Sequence, residues 1–195
     1  MSWALDLAKN YVPKEGSVPV FGIILYTNAH ANIKKILRDA DYWAALDEIS
    51  GPKWPVFSIR ALKGKYEYPT PPPGVRAMML PVWKEPRENL TLLNLFKLKN
   101  TENFPCLAIF TISEKEEVDR IIISLNDKSP DSAFNRLREI MTLISKAIDG
   151  VKKENLSDGH VILSTINNSL KRYGHLERLK KGYKILKEIK SWLPI

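Results

Sequence analysis

The sequence predicts an α/β fold, and two stretches of the chain carry that prediction. In the first stretch, the run over 18–26 is nearly all apolar, which is typical of a strand covered on both faces of a sheet. A helical pattern of apolar residues follows and stops at Gly51, and residues 54–62 form a second strand-like run. The order strand, helix, strand implies a right-handed crossover and a parallel pair of strands.

The second stretch combines two strands with the helix that has the clearest end signals. The runs 104–110 and 118–124 are predicted to be antiparallel partners across a charged loop. Ser129 can cap the next helix, Pro130 suits its first position, and Gly150 ends it. Shorter or later helices are predicted over 2–9, 88–97, 158–173 and 175–192.

Prolines mark an insertion within this pattern. Six of the thirteen prolines fall between 69 and 86, and three of them are consecutive, which predicts a stiff extended segment. An edge strand is predicted over 75–83. We therefore predict an α/β domain over 1–150, interrupted by a proline-rich insertion at about 63–87, and a helical C-terminal extension over 151–195.

Composition places the chain among ordinary globular proteins. It has 195 residues, of which 44% are hydrophobic and 27% are charged, so it can bury a sizeable core. A single cysteine rules out an internal disulfide and favours a reducing compartment, so we predict a cytoplasmic location. Neither a transmembrane segment nor the apolar core of a signal peptide is recognisable.

Positive charge is concentrated near the C-terminus. Of the net charge of +8, the window 171–190 holds +6, because it contains eight basic and two acidic residues. Such a window can bind nucleic acid, an anionic membrane surface or an acidic protein. The candidate anion-binding residues are Arg178, Lys180, Lys181, Lys184, Lys187 and Lys190.

Two segments carry a resemblance to a known family. Residues 23–37 (IILYTNAHANIKKIL) and 103–110 (NFPCLAIF), together with the order of elements, resemble the thioredoxin-like fold. The first segment is similar to the strand, active-site turn and helix of that family, and the second to the strand that begins after its cis-proline. The resemblance implies a mixed sheet flanked by helices and a cis bond between Phe104 and Pro105.

The resemblance also implies which residues would contact a partner. In thioredoxin-like proteins the turn and the cis-proline loop form the face that contacts peptides, which here means Asn28, Ala29, His30, Phe104 and Pro105. The redox cysteines of the family would fall near Ala29 and Asn32, and neither position is a cysteine. Because thiol–disulfide exchange requires an activated thiolate, we predict a redox-inactive member.

Other chemistry has little support in the sequence. Cys106 lies in an apolar strand, where we expect a small buried hydrophobic residue rather than a nucleophile. His30, near a helix start, is expected to be neutral and could act as a base or a hydrogen-bond donor, although a surface turn residue is the simpler interpretation. His160 and His175 are too isolated for a zinc site, and no glycine-rich phosphate loop or nucleophile elbow is present, so we predict no metal or cofactor.

Three functions remain as hypotheses. The leading one is a non-catalytic module that binds a protein partner; the sequence leaves open the identity of that partner and the oligomeric state of the protein. The alternative is nucleic-acid binding through the basic C-terminal helices. The third is an enzyme similar to glutathione transferases, which also join a thioredoxin-like half to helices. The sequence therefore favours a binding protein over an enzyme.

Overall fold

The computed structural model describes residues 17–67, 81–113 and 117–174, and within them the fold is α/β. The strands are β1 (Phe21–Thr27), β2 (Val56–Ala61), β3 (Lys65–Glu67), β4 (Val82–Lys84), β5 (Cys106–Ile112) and β6 (Val118–Ser124). Four of them form a mixed sheet in the order β2-β1-β5-β6, in which β1 is parallel to β2, and β5 is antiparallel to both β1 and β6. The short strands β3 and β4 form a separate antiparallel hairpin sheet.

Five α-helices accompany these strands in the described part of the chain. They are α1 (Ala31–Arg38), α2 (Ala40–Ser50), α3 (Leu90–Leu95), α4 (Pro130–Asp149) and α5 (159–174). Single 3-10 turns lie at Arg87–Asn89, Thr101–Asn103 and Lys153–Asn155. The strands predicted over 18–26, 54–62, 104–110 and 118–124 are present with small shifts at their ends, as are the helices predicted over 88–97, 130–149 and 158–173. None of the described helices combines the length and the hydropathy that crossing a bilayer requires.

Helix α4 confirms its predicted end signals. The hydroxyl of Ser129 accepts a hydrogen bond from the backbone N–H of Ser132 at 3.2 Å, and Pro130 occupies the first turn. Gly150 follows the last helical residue, and its N–H donates to the carbonyl of Lys146 at 3.2 Å. Local sequence therefore determines both ends of this helix.

The prediction of a single helix between β1 and Gly51 was wrong, because the structure has two helices there. Asp39 has an extended backbone (φ −84°, ψ 121°) that ends α1. Its carboxylate accepts hydrogen bonds from the N–H groups of Asp41 and Tyr42, at 3.1 and 3.4 Å, and so caps α2. An aspartate that satisfies the free N–H groups of a new helix competes well with continuation of the old one.

The two faces of the main sheet are buried in separate apolar clusters. Alternate side chains of β1 separate cleanly, since Ile24 and Tyr26 point to one face while Ile23 and Leu25 point to the other. The first face, which we call the four-helix face, is covered by α1, α2, α4 and α5. The opposite face, which we call the α3 face, is covered by α3 and the residues that follow it.

Helix α5 packs directly on the sheet and shares its core with α4. Ile162, Leu163 and Ile166 are buried in the cluster of the four-helix face. Gly159 lies so close to the sheet that a Cβ there would overlap the hydroxyl of Thr111 and approach the carbonyl of Pro19 to 2.9 Å. The helical pattern of residues 158–173 therefore reflects burial against the domain.

Several predicted features fall outside the described residues. These are the helices predicted over 2–9 and 175–192, most of the edge strand predicted over 75–83, His175, and the anion-binding candidates Arg178, Lys180, Lys181, Lys184, Lys187 and Lys190.

Candidate functional site

The candidate site lies at the edge of the sheet where the parallel strands β1 and β2 end. Thr27 pairs with Ala61 at the carboxyl ends of these strands, and the turn 27–30 leads from there into α1. Strand β5 starts beside them, because Cys106 pairs with Leu25. The bond between Phe104 and Pro105 is cis, as predicted, and it therefore stands next to the turn.

His30 is held in this turn by the backbone and side chain of Thr27. Its Nδ1 accepts a hydrogen bond from the N–H of Thr27 at 2.9 Å and lies 3.2 Å from the threonine hydroxyl. The same hydroxyl accepts from the N–H of Ala29 at 3.3 Å. Since Nδ1 is an acceptor, the proton of the neutral imidazole is on Nε2.

Burial favours the neutral form of His30. Desolvation of the half-buried ring lowers the pKa of His30 below its ordinary value of 6.5, and the positive charge of Lys63 acts in the same direction. The negative charge of Asp127 and a hydrogen bond to the backbone of Phe104 oppose this effect without overcoming it. The imidazole is thus a neutral hydrogen-bonding group at neutral pH, as the sequence led us to expect.

The start of α1 is occupied by a carboxylate from elsewhere in the chain. Asp127, between β6 and α4, accepts a hydrogen bond from the N–H of Ile33 through Oδ1 at 2.8 Å. Its backbone carbonyl accepts from the side-chain amide of Asn32 at 2.6 Å. An internal anion therefore already uses the positive end of this helix. Sequence analysis missed this role of Asp127, because a single aspartate 94 residues from its partner leaves no local signal.

The five predicted contact residues are brought together, but they differ in exposure. Asn28 and Ala29 are exposed and His30 is half-buried. Pro105 is buried, and Phe104 is only 6% exposed. The N–H of Phe104 also donates to the carbonyl of Thr101 at 3.2 Å. We call Asn28, Ala29 and His30 the turn surface, since these residues are the ones that a partner could reach.

Cys106 is a buried side chain, as predicted. It is 0% exposed within β5. Burial raises the pKa of its thiol to about 12, so almost no thiolate exists at neutral pH. This cysteine belongs to the core of the α3 face.

Metal and anion sites have no further support in the described residues. No group of three or more histidine, cysteine or acidic side chains could hold a metal ion within 17–67, 81–113 and 117–174. His160 instead pairs with Asp119, with Nδ1 at 2.7 Å from Oδ2. Of the basic window, Lys171 and Arg172 are described, and both are exposed on α5.

Comparison with protein-family models, with curated proteins and with solved structures finds no match for this chain.

Proposed function

We propose that this chain is a redox-inactive thioredoxin-like protein that binds a protein partner through its turn surface. Its topology supports this fold, because a parallel β-α-β unit is followed by two antiparallel strands and a long helix, in the sheet order β2-β1-β5-β6. The cis bond before β5 lies beside the turn, as the resemblance implies. A lone buried cysteine is compatible with the cytoplasmic location predicted from the sequence.

Three features favour binding over thiol chemistry. Ala29 and Asn32 stand where the redox cysteines of the family would lie. Asp127 occupies the start of α1, where a helix could otherwise stabilise a thiolate. The remaining thiol, on Cys106, is buried and protonated.

One observation carries the proposal for the turn surface. Asn28 and Ala29 are exposed at the edge of a rigid sheet, in a turn that Thr27 and His30 fix by hydrogen bonds. A preformed turn loses little conformational entropy when it binds, which favours its use as a contact.

Site-specific photo-crosslinking in the native cell tests this proposal. A photoreactive amino acid at Ala29 should give one discrete protein adduct, identified by mass spectrometry. The matched control is Glu154, which is also exposed but lies beyond α4, at the opposite edge of the sheet, where Asp149 pairs with Lys53. The adduct at position 29 should weaken at least several-fold when Asn28→Arg is added. No adduct at 29, or the same adduct at both positions, would contradict the proposal.

The charge distribution favours nucleic-acid binding as a second candidate. Eight basic residues within 171–190 give this window a net charge of +6, whereas the rest of the chain holds +2. Binding there would be electrostatic, and its affinity would fall steeply with salt.

A further inference from the structure

The carboxylate of Glu85 joins three segments of the chain. Its Oε2 accepts hydrogen bonds from the indole N–H of Trp83 at 2.8 Å and from the N–H and hydroxyl of Thr101, at 3.0 and 3.1 Å. Its Oε1 accepts from the side-chain amide of Asn89 at 2.5 Å. Burial opposes ionisation of Glu85, but these hydrogen bonds outweigh it and hold the pKa of the carboxyl below its ordinary value.

The partners of Glu85 are themselves anchored. Asn89 is buried, and its side chain donates to the carbonyl of Leu62 at 2.7 Å and accepts from the N–H of Leu62 at 3.1 Å. Tyr66, on β3, donates to the carboxylate of Glu102 in the turn that contains Thr101. The hairpin of β3 and β4 is thereby connected both to the end of β2 and to the turn Thr101–Asn103.

Both connections lead on to the turn surface. Along the first connection, the carbonyl of Thr101 accepts a hydrogen bond from the N–H of Phe104. The backbone of Phe104 is in turn hydrogen-bonded to His30. Along the second connection, Leu62 is followed by Lys63, whose positive charge lowers the pKa of His30. We infer that Glu85 is a positioning residue, whose four hydrogen bonds hold the β3–β4 hairpin and the turn surface in one arrangement. Its importance for binding rests on the proposed function of the turn surface.

The geometry requires a carboxylate and not merely a side chain of this size. Every group that faces Glu85 in this network is a hydrogen-bond donor, and a glutamine would place its own NH₂ group against at least one of them. Asn89 cannot rotate its amide to compensate, because the N–H and the carbonyl of Leu62 determine its orientation. Glu85→Gln therefore breaks the network without changing its volume.

The test uses NMR on the free protein and the variant Glu85→Gln. Because hydrogen bonds to a charged acceptor are being lost, amide exchange at Thr101 and Phe104 should accelerate by about ten- to a hundredfold. The signals of Asn28, Ala29 and His30 should shift as well. The amide of Ile109, in the central strand β5, is the internal reference.

Glu88→Gln is the matched control, because Glu88 is exposed nearby, and it should leave all of these signals unchanged. If amide exchange in Glu85→Gln accelerates as much at Ile109 as at Phe104, the substitution destabilises the whole fold. The inference is then tested with Trp83→Phe, which removes only one of the four hydrogen-bond donors. That variant should still shift the signals of Thr101 and of the turn surface.

The inference would be overturned if the NMR signals of Asn28, Ala29 and His30 stayed unchanged in Glu85→Gln or, where that variant is globally destabilised, in Trp83→Phe. No partner is needed for this measurement, so its failure is distinguishable from failure of the crosslinking test.

Discussion

The two faces of the main sheet are held in different ways. On the four-helix face, α1, α2, α4 and α5 cover one apolar cluster that includes the large buried side chain of Trp54. On the α3 face the covering helix has six residues, and Asn89, which leads into it, belongs to the polar network of Glu85. Apolar burial is non-directional and extensive, whereas a polar network depends on a few exact partners. The difference teaches that substitutions on the four-helix face should cost stability mainly through cavities, whereas on the α3 face exact polar partners matter as well.

The largest expected loss of stability follows from a cavity on the four-helix face. Leu137→Ala should lower the free energy of unfolding by about 2–5 kcal/mol, because the side chain is 0% exposed and its removal leaves a cavity. Urea denaturation measures the change. Leu90→Ala, at the start of α3, is the control, since that side chain is 47% exposed and its loss should cost less than about 0.5 kcal/mol. Equal losses would show that burial does not determine the cost of these two substitutions.

The second prediction tests how tightly the α3 face is closed around Cys106. With a thiol pKa of about 12 in place of 9.0, the thiolate at pH 8 is about a thousandfold rarer than in an exposed cysteine. Labelling by a thiol reagent should therefore be slow until denaturant opens the fold. An Ala29→Cys variant that also carries Cys106→Ala places a thiol at an exposed position and should label at an ordinary rate. Rapid labelling of native Cys106 would mean that this face opens readily.

The third prediction concerns how the stability of the protein depends on pH through His30. Burial lowers the pKa of His30 below 6.5, so near pH 6 the folded protein binds fewer protons than the unfolded chain. Stability from this source is therefore fully present above pH 6.5 and is lost as pH falls through the lowered pKa. His30→Asn retains an acceptor for the N–H of Thr27 and should reduce the change in urea midpoint between pH 7.5 and pH 5.5. An unchanged pH dependence would show that His30 does not contribute to it.

The smallest expected effect on stability is in the basic window 171–190. Lys181, Lys184 and Lys187 changed together to glutamine should lower the salt concentration at which the protein elutes from heparin, because fewer counterions are released on binding. Thermal stability should change little. The control changes three exposed lysines of the described domain, Lys35, Lys99 and Lys128, to glutamine. If both triple variants elute alike, anion binding does not reside in the C-terminal window.

Much of the architecture could be predicted because its signals are local. The apolar runs of β1, β5 and β6 and the caps of α4 each lie within a few consecutive residues. The cis bond at Phe104–Pro105 was predicted from the residues around it and the resemblance they carry. The break at Asp39 was missed, because the apolar periodicity continues through it while one side-chain cap ends the helix.

By itself, the sequence determined the α/β class, the order of β1, β2, β5, β6 and α4, and the burial of Cys106, since each depends on short-range pattern and on apolar character. Only the tertiary structure decided how the candidate site is built. Asp127 reaches α1 across 94 residues, Glu85 reaches Thr101 across 16, and Asn89 reaches Leu62 across 27. Polar partners of this kind are matched by geometry after the apolar core has formed, and a single carboxylate or amide leaves no periodic trace in the chain.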